Sequence, residues 1–117
     1  MGPTVSTTDV GNRAESAAAR FLERQGFIIL ARNWRNRWCE IDIIAERGGT
    51  ICFVEVKYRV VSSHGDGLEH ITASKIRQLE RGAVMWMANR AADEPIALIG
   101  VAVSGTEYIV QAATVLT

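Results

Sequence analysis

The segment 39–59, which reads CEIDIIAERGGTICFVEVKYR, carries charged side chains inside two apolar runs of β type. The dipeptide Gly48-Gly49 between the runs is typical of the two-residue turn of a β-hairpin. Counting outward from this turn places Asp42 directly opposite Glu55, and Lys57 follows on the same face. Two carboxylates directly across an antiparallel pair repel each other, so we expect a cation that compensates them.

Side chains alternate between the two faces of a strand, so the same register predicts what lies on each side of the hairpin. Arg47 opposes Thr50 beside the turn, and Glu40 opposes Lys57 at the far end. One face is therefore expected to carry Glu40, Asp42, Glu55 and Lys57. The other face is expected to be wholly apolar, with Ile41, Ile43, Ala45, Cys52, Val54 and Val56.

Asp42 and Glu55 offer only oxygen ligands, which favour a hard divalent cation such as Mg²⁺ or Mn²⁺. Such an ion typically binds through one or two carboxylates together with waters and phosphate oxygens, which predicts phosphate-ester chemistry. Lys57 would then orient the attacking water or stabilise negative charge that grows on the phosphorus oxygens. Glu15, at the border of the apolar stripe of the first predicted helix, would add a ligand or hold a water.

A simpler interpretation needs no metal. Glu-x-Lys is common in strands, and Glu40 opposite Lys57 would form an exposed ion pair that contributes little stability. This interpretation does not account for the two opposed carboxylates in front of an apolar face. His64 and His70 have no partner at the spacing of metal ligands, so we expect neither to bind a metal.

The length of 117 residues suits a single domain with one core. We expect residues 1–10, which are small and polar, to form a flexible tail and residues 11–117 to form the domain. No apolar run approaches the roughly 20 residues of a membrane span, and the first residues lack a signal-peptide pattern, so the expected compartment is the cytoplasm. Cys39 and Cys52 fall roughly 20 Å apart along the hairpin, which argues against a disulfide.

Thirteen basic and thirteen acidic residues give a formal net charge of zero, which argues against nucleic-acid binding by bulk electrostatics alone. Arginine dominates the basic residues and suits phosphate because of its planar fork, although a codon bias explains the arginines equally well. The three tryptophans, Trp34, Trp38 and Trp86, are expected in the core. Trp34 between Arg32 and Arg35 would also suit stacking on a base.

Hydrophobic periodicity predicts the element order α, β, β, β, α, β, β. The first helix follows a cap at Thr8 or Asp9 and ends at Gly26, and the second runs from about Thr72 to about Asn89. Three strands lie between the helices, two follow around a turn at Ser104-Gly105, and 60–70 is a long Gly- and Ser-rich loop. Helices beside a mostly continuous sheet predict an α/β or α+β sandwich.

Several short sequences together resemble the YraN family of small bacterial proteins, which is part of the PD-(D/E)XK nuclease superfamily. They are Asn33-x-Arg35, EIDIIA at 40–45 and FVEVK-x-R at 53–59, with Gly11, Ala14-Glu15, Lys75 and Leu79 in the helices. The resemblance spans most of the chain. It implies an α/β fold, a restriction-endonuclease-like αβββαββ sandwich with a central mixed sheet flanked by helices, close to archaeal Holliday-junction resolvases.

The same resemblance implies a divalent-metal-dependent endonuclease that hydrolyses DNA phosphodiester bonds, including those of branched or junction DNA. Carried over residue by residue, the metal carboxylates fall on Asp42 and Glu55, the active-site lysine on Lys57 and the acidic helix residue on Glu15. The expected cofactor is Mg²⁺ or Mn²⁺. The alternative is a non-catalytic DNA-binding or assembly module that keeps the nuclease fold, and the neutral net charge slightly favours it.

DNA is the expected partner, no membrane is expected, and a homodimer stays open. We expect the loop 60–70 to lie beside the cleft that holds the carboxylates. The expected phosphate contacts are Arg35, Arg59, Lys75 and Arg77.

Overall fold

The computed structural model describes residues 7–60, 67–68 and 71–116, and it contains seven elements in the expected order. They are α1 (Thr7–Arg24), β1 (Ile28–Arg35), β2 (Glu40–Arg47), β3 (Thr50–Arg59), α2 (Ala73–Met87), β4 (Ile96–Ser104) and β5 (Ile109–Val115). Within these ranges, no helix is both long enough and apolar enough to cross a bilayer.

The five strands form one sheet in the order β1-β2-β3-β4-β5. All neighbours are antiparallel except β3 and β4, which are parallel and are connected through α2. This is the expected α/β fold with a central mixed sheet and two helices, and it is compatible with a restriction-endonuclease-like fold. Strand directions bring the ends of β1, β3 and β4 and the starts of β2 and β5 together; we call this edge the Arg59 end.

Helix α1 packs on one face of the sheet through small side chains. Ala14, Ala18 and Leu22 are buried, and alanine lets the helix axis come close to the strands. The helix begins at Thr7, one residue before the earlier of the two expected caps. Residues 7–10, which were expected in the tail, therefore belong to α1, and a flexible tail at residues 1–6 lies outside the described residues.

Helix α2 packs in a separate apolar cluster on the other face. Its start is fixed by Thr72, whose side-chain oxygen accepts a hydrogen bond of 3.1 Å from the backbone N–H of Lys75. Leu79 and Ala83 are buried against the sheet, and Trp86 meets the ring of Phe53 edge-on. One face of α2 is therefore apolar and packs on the sheet.

The Gly48-Gly49 turn has the expected conformation, with φ values of 58° and 83°. Arg47 pairs with Thr50 and regular pairing extends to Ile43 and Val54, which confirms the register over this range. The expected pairs of Asp42 with Glu55 and of Glu40 with Lys57 lie beyond the regular pairing. Of the six residues expected on one apolar face, five lie in the α1 cluster, but Ile41 lies in the α2 cluster. The expectation for Ile41 was wrong because strand alternation is interrupted between it and Ile43.

The face that carries Glu55 is not a polar face, because Phe53 and Ile44 are fully buried on it against α2. Charged and apolar residues therefore share this side of the hairpin. Trp38 also departs from expectation, since it is 64% exposed in the turn before β2. Cys39 and Cys52 are both buried and free, as expected.

Gly100 lies next to Glu55 in the parallel register of β3 and β4. A Cβ atom at Gly100 would lie 2.8 Å from Ile71 Cδ1 and 3.1 Å from Leu68 Cδ2. The missing side chain thus lets the chain before α2 settle on the sheet beside Glu55. Residues 61–66 and 69–70, which include His64 and His70, lie outside the described residues. The expected position of this loop beside the cleft therefore stays a prediction.

A branched side chain at Gly100 should therefore cost stability. We expect Gly100→Val to lower the free energy of unfolding by about 2 kcal/mol, because it overfills the space held by Ile71 and Leu68. Gly11→Ala is the matched control, since α1 leaves open space around Gly11 and alanine should raise stability by about 0.5–1 kcal/mol. Urea denaturation of both variants measures the two changes. A Gly100→Val protein with the same free energy of unfolding as the wild type would contradict the close packing.

Candidate active site

Asp42 is held by a hydrogen bond that replaces part of the β2–β3 ladder. The regular pairing ends at Ile43 and Val54. Beyond it, Asp42 Oδ2 accepts a hydrogen bond of 2.7 Å from the backbone N–H of Val56. A bond of this length to a carboxylate is strong and fixes the acceptor, so the sheet itself orients this side chain.

The neighbouring strand β1 is also irregular, at the position beside Asp42. Asn33 of β1 has a left-handed conformation with φ of 52°, which asparagine tolerates better than most residues. On either side of it, Arg32 pairs with Ile43 and Trp34 pairs with Ile41. The two partners in β2 belong to opposite apolar clusters, so the change of face occurs at Asp42.

Glu55 is the most deeply placed acidic group of the predicted set, with a side chain that is only 12% exposed. It lies on the α2 side of β3. The ammonium nitrogen of Lys75, in the first turn of α2, is 3.6 Å from Glu55 Oε1. Lysine from the second helix therefore supplies positive charge to a carboxylate of the hairpin.

Burial disfavours the charged forms of both carboxylates, and the charges of neighbouring acids add to this effect. Burial, followed by the charge of Asp42, raises the pKa of Glu55 to about 7, while Lys75 and Lys57 act in the opposite direction. Burial also raises the pKa of Asp42, and the charge of Glu40 adds to this effect. The Val56 N–H and the charge of Lys75 favour the Asp42 carboxylate. The charge of Asp42 thus acts on Glu55, and a cation that compensates the two acids stays a prediction.

Glu15 reaches Asp42 from α1. Burial raises the pKa of Glu15, the charge of Asp42 raises it further, and the Asn33 side chain and Arg32 oppose the shift. Its Oε2 atom is buried and has no hydrogen-bond partner within the described chain. Three acidic groups, from α1, β2 and β3, therefore influence one another.

The remaining predicted residues are distributed differently. Glu40 forms a long ion pair of 3.9 Å with Arg35 across β1 and β2, whereas the simpler interpretation paired it with Lys57. Arg59 ends β3, and its guanidinium lies beside Gly67, where a Cβ atom would be 3.1 Å from Nε. Arg77 lies exposed on the face of α2 opposite Leu79.

The donor set fits a small, hard divalent ion with two protein carboxylates. Among residues 7–60, 67–68 and 71–116, no three histidine, cysteine or acidic side chains are close enough to share one ion. The candidate ligands are therefore Asp42 and Glu55, with water or phosphate oxygens completing the shell, as is usual for Mg²⁺. The repulsion between these carboxylates and the unpartnered Oε2 of Glu15 are the features that a cation and its waters would relieve.

Sequence reasoning gave no role in this site to Asn33 or Gly100, and it gave Lys75 a different role. Asn33 interacts with Glu15, and an asparagine inside a strand pattern was the available signal. Gly100 seats the segment beside Glu55, and a glycine inside an apolar strand is a known sign of close backbone approach. Lys75 was expected to contact phosphate, yet it lies against Glu55.

The hydrogen bond between Asp42 and Val56 gives a prediction that separates two effects of Asp42 on stability, its negative charge and its role as a hydrogen-bond acceptor. Asp42→Asn keeps an oxygen that can accept the Val56 N–H and removes repulsion with Glu55, so the metal-free protein should be as stable as the wild type or more so. Asp42→Ala leaves the buried N–H unpaired and should lower stability by about 1–3 kcal/mol. Chemical denaturation in chelator measures both, and equal losses in the two variants would contradict the assignment of the bond.

The raised pKa of Glu55 gives a prediction for pH. Between the ordinary value of 4.5 and about 7, the folded protein holds a proton that the unfolded chain has lost. Stability of the metal-free protein should therefore fall as pH rises from about 5 to about 8, by about 2 kcal/mol or more.

In Glu55→Gln, which has no proton to lose at this position, the decline should be clearly smaller. Thermal unfolding in chelator across this pH range makes the comparison. Parallel curves for the two proteins would mean that Glu55 ionises normally.

Comparison with known proteins places the chain in a family. Residues 14–103 match the family described as "Uncharacterised protein family UPF0102". A UPF0102 protein of Chlorobium chlorochromatii is 42% identical over 87 residues, which make up 74% of this chain and 67% of that protein. A relative from Neisseria meningitidis serogroup C is 40% identical over 97 residues, or 82% and 84% of the two chains. The matched range includes Glu15, Asp42, Glu55, Lys57 and Lys75, and the chain belongs to the UPF0102 family, also called the YraN family.

Proposed function

We propose that this protein is a divalent-metal-dependent endonuclease that hydrolyses phosphodiester bonds of DNA, with branched or junction DNA among its substrates. One observation carries the proposal: two desolvated, coupled carboxylates, Asp42 and Glu55, lie near two lysines at the Arg59 end of the sheet. A purely structural ion-pair network would not need to bury two repelling acids.

In this proposal, Asp42 and Glu55 hold Mg²⁺ or Mn²⁺. Such an ion, when bound, supplies a more acidic water and neutralises phosphate charge. The Val56 N–H fixes the direction of the Asp42 carboxylate, and burial fixes Glu55, so both ligands are positioned before the ion arrives. Positioning in advance is what gives a metal site its precision.

Lys57 and Glu15 act on the reacting groups. Lys57 follows Glu55 by two residues on the α2 side and stabilises the negative charge that develops on the phosphoryl oxygens. Glu15 has a buried oxygen without a protein partner, and that oxygen accepts a hydrogen bond from a water of the site. The two roles differ, because Lys57 stabilises charge and Glu15 orients a water molecule.

The turn between β1 and β2 supports a substrate with unpaired bases. Asn36 Oδ1 accepts hydrogen bonds from the backbone N–H groups of Trp38 and Cys39, at 2.9 Å and 2.8 Å, which holds the turn in shape. Trp38 is exposed there, with the Arg37 guanidinium 5.3 Å from its ring centre. An exposed aromatic ring beside arginine suits base stacking, and branched DNA offers unstacked bases at its branch point.

The second candidate is a DNA-binding or assembly module without turnover. The ion pair between Lys75 and Glu55 favours it, because a lysine already neutralises part of the carboxylate charge without a metal. The neutral net charge of the chain is also compatible with a module that relies on a partner.

A cleavage assay decides between the two candidates. Labelled single-stranded, duplex, flap and four-way-junction DNA should be cut by the wild type with Mg²⁺ or Mn²⁺ and not with chelator. Lys57→Ala should reduce cleavage by roughly 10²- to 10³-fold, the scale expected for loss of one electrostatic stabiliser, while DNA binding persists.

Arg81→Ala is the matched control for charge, because Arg81 is an exposed cation on the outer face of α2. Its rate should match that of the wild type. Binding to these DNAs without cleavage of any of them, in either metal, would reject the nuclease and favour the binding module.

A further inference from the structure

Lys75 occupies an unfavourable place for a cation. It lies in the first turn of α2, where the partial positive charge of the helix N-terminus disfavours lysine and favours acidic residues. That turn contains no acidic residue. Another interaction is therefore needed to stabilise the ammonium group, and among the described residues Lys75 forms an ion pair with Glu55.

The ammonium of Lys75 acts on both candidate metal ligands. It lies 3.6 Å from Glu55 Oε1, and its charge also favours the ionised form of Asp42. A divalent ion bound between these two carboxylates would need the same negative potential. Two cations so close together would repel each other strongly.

The two members of the ion pair differ in freedom to move. The Lys75 side chain is 45% exposed, whereas that of Glu55 is 12% exposed and fixed on a central strand. Lysine has a long, flexible stem and can turn toward solvent at little cost. When the pair separates, Lys75 therefore moves and the carboxylate stays.

We propose that Lys75 is the resident counter-ion of the Asp42–Glu55 pair, and that a divalent cation binds by displacing its ammonium group. The inference rests on the proposed function, since it concerns the same metal ligands. Lys75 is then not a permanent phosphate contact. Its partner is the carboxylate pair when no metal is bound, and it is free to contact phosphate when a metal is bound.

The displacement couples metal binding to nucleic-acid binding. Once displaced, the ammonium is still tethered to the start of α2 beside the site, where a phosphate group would give it a new partner. Metal and nucleic acid should therefore each strengthen binding of the other, because the phosphate stabilises the lysine that the metal has released. Without the lysine, this coupling should weaken.

Calorimetric titration with Mg²⁺ in the absence of nucleic acid tests the competition directly. The proteins are the wild type, Lys75→Met and the control Arg81→Met, which removes an equal charge from the outer face of α2. The titrations are made at about pH 9, so that protons do not compete for Glu55. We expect Lys75→Met to bind Mg²⁺ about tenfold more tightly than the wild type, and Arg81→Met to match the wild type.

A second measurement needs no metal. In chelator, Lys75→Met should lower the midpoint of denaturation in the wild type but much less in Glu55→Gln, because the ion pair exists only in the former. This double-mutant comparison shows whether the pair forms, independently of whether any metal binds. Additive effects of the two substitutions would overturn the counter-ion role.

The outcomes separate the inference from the proposed function. Equal Mg²⁺ affinity in the wild type and Lys75→Met would overturn the displacement, yet leave the metal-dependent nuclease intact. Weaker affinity in Lys75→Met would also overturn it, because Lys75 would then assist the metal. Absence of Mg²⁺ binding in all three proteins would reject both the displacement and the metal site, whatever the double-mutant comparison shows.

Discussion

The hydrogen bond from the Val56 N–H to Asp42 is the interaction on which the candidate site depends. It takes the place of a ladder hydrogen bond, so β2 can separate from β3 without leaving a buried donor unpaired. The separation moves Ile41 to the α2 side and keeps Asp42 between the two faces. Glu15 from α1 and Glu55 from β3 can then both interact with one carboxylate, which an unbroken strand would present to one face only.

Repeated patterns made most of the architecture predictable from the sequence. Gly48-Gly49 sets the hairpin register, and the spacing of alanine and leucine sets the face of α1, because both depend on local chain geometry. Ile41 was misplaced because alternation holds only while a strand is regular, and β2 leaves its regular pairing with β3 at Ile43, next to the left-handed Asn33 of β1. Trp38 was misplaced because its exposure results from side-chain hydrogen bonds within a turn, which periodicity does not report.

The site residues were predictable only to the extent that they belong to one hairpin. Asp42, Glu55 and Lys57 follow from the register, and Glu15 followed from a family resemblance and its place on a helix. The contact between Lys75 and Glu55 depends on how α2 packs after a long connection, and nothing in the local pattern of either element specifies that distance. The roles of Asp42 and Glu55 as metal ligands and of Lys57 in cleavage stay predictions.

The parallel pairing of β3 with β4 also affects the order in which the molecule can assemble. The β2–β3 hairpin consists of local contacts and can form early, whereas β4 and the docking of α2 require the closure of a long connection. Asp42 and Glu55 therefore approach each other before the α2 lysine can reach them. During that interval their repulsion is opposed by Lys57 of the same hairpin and by protons or ions from the solvent, without the α2 lysine. The carboxylates proposed for the site therefore disfavour early closure of the hairpin, and we expect the folding rate to depend on the ionic composition of the medium.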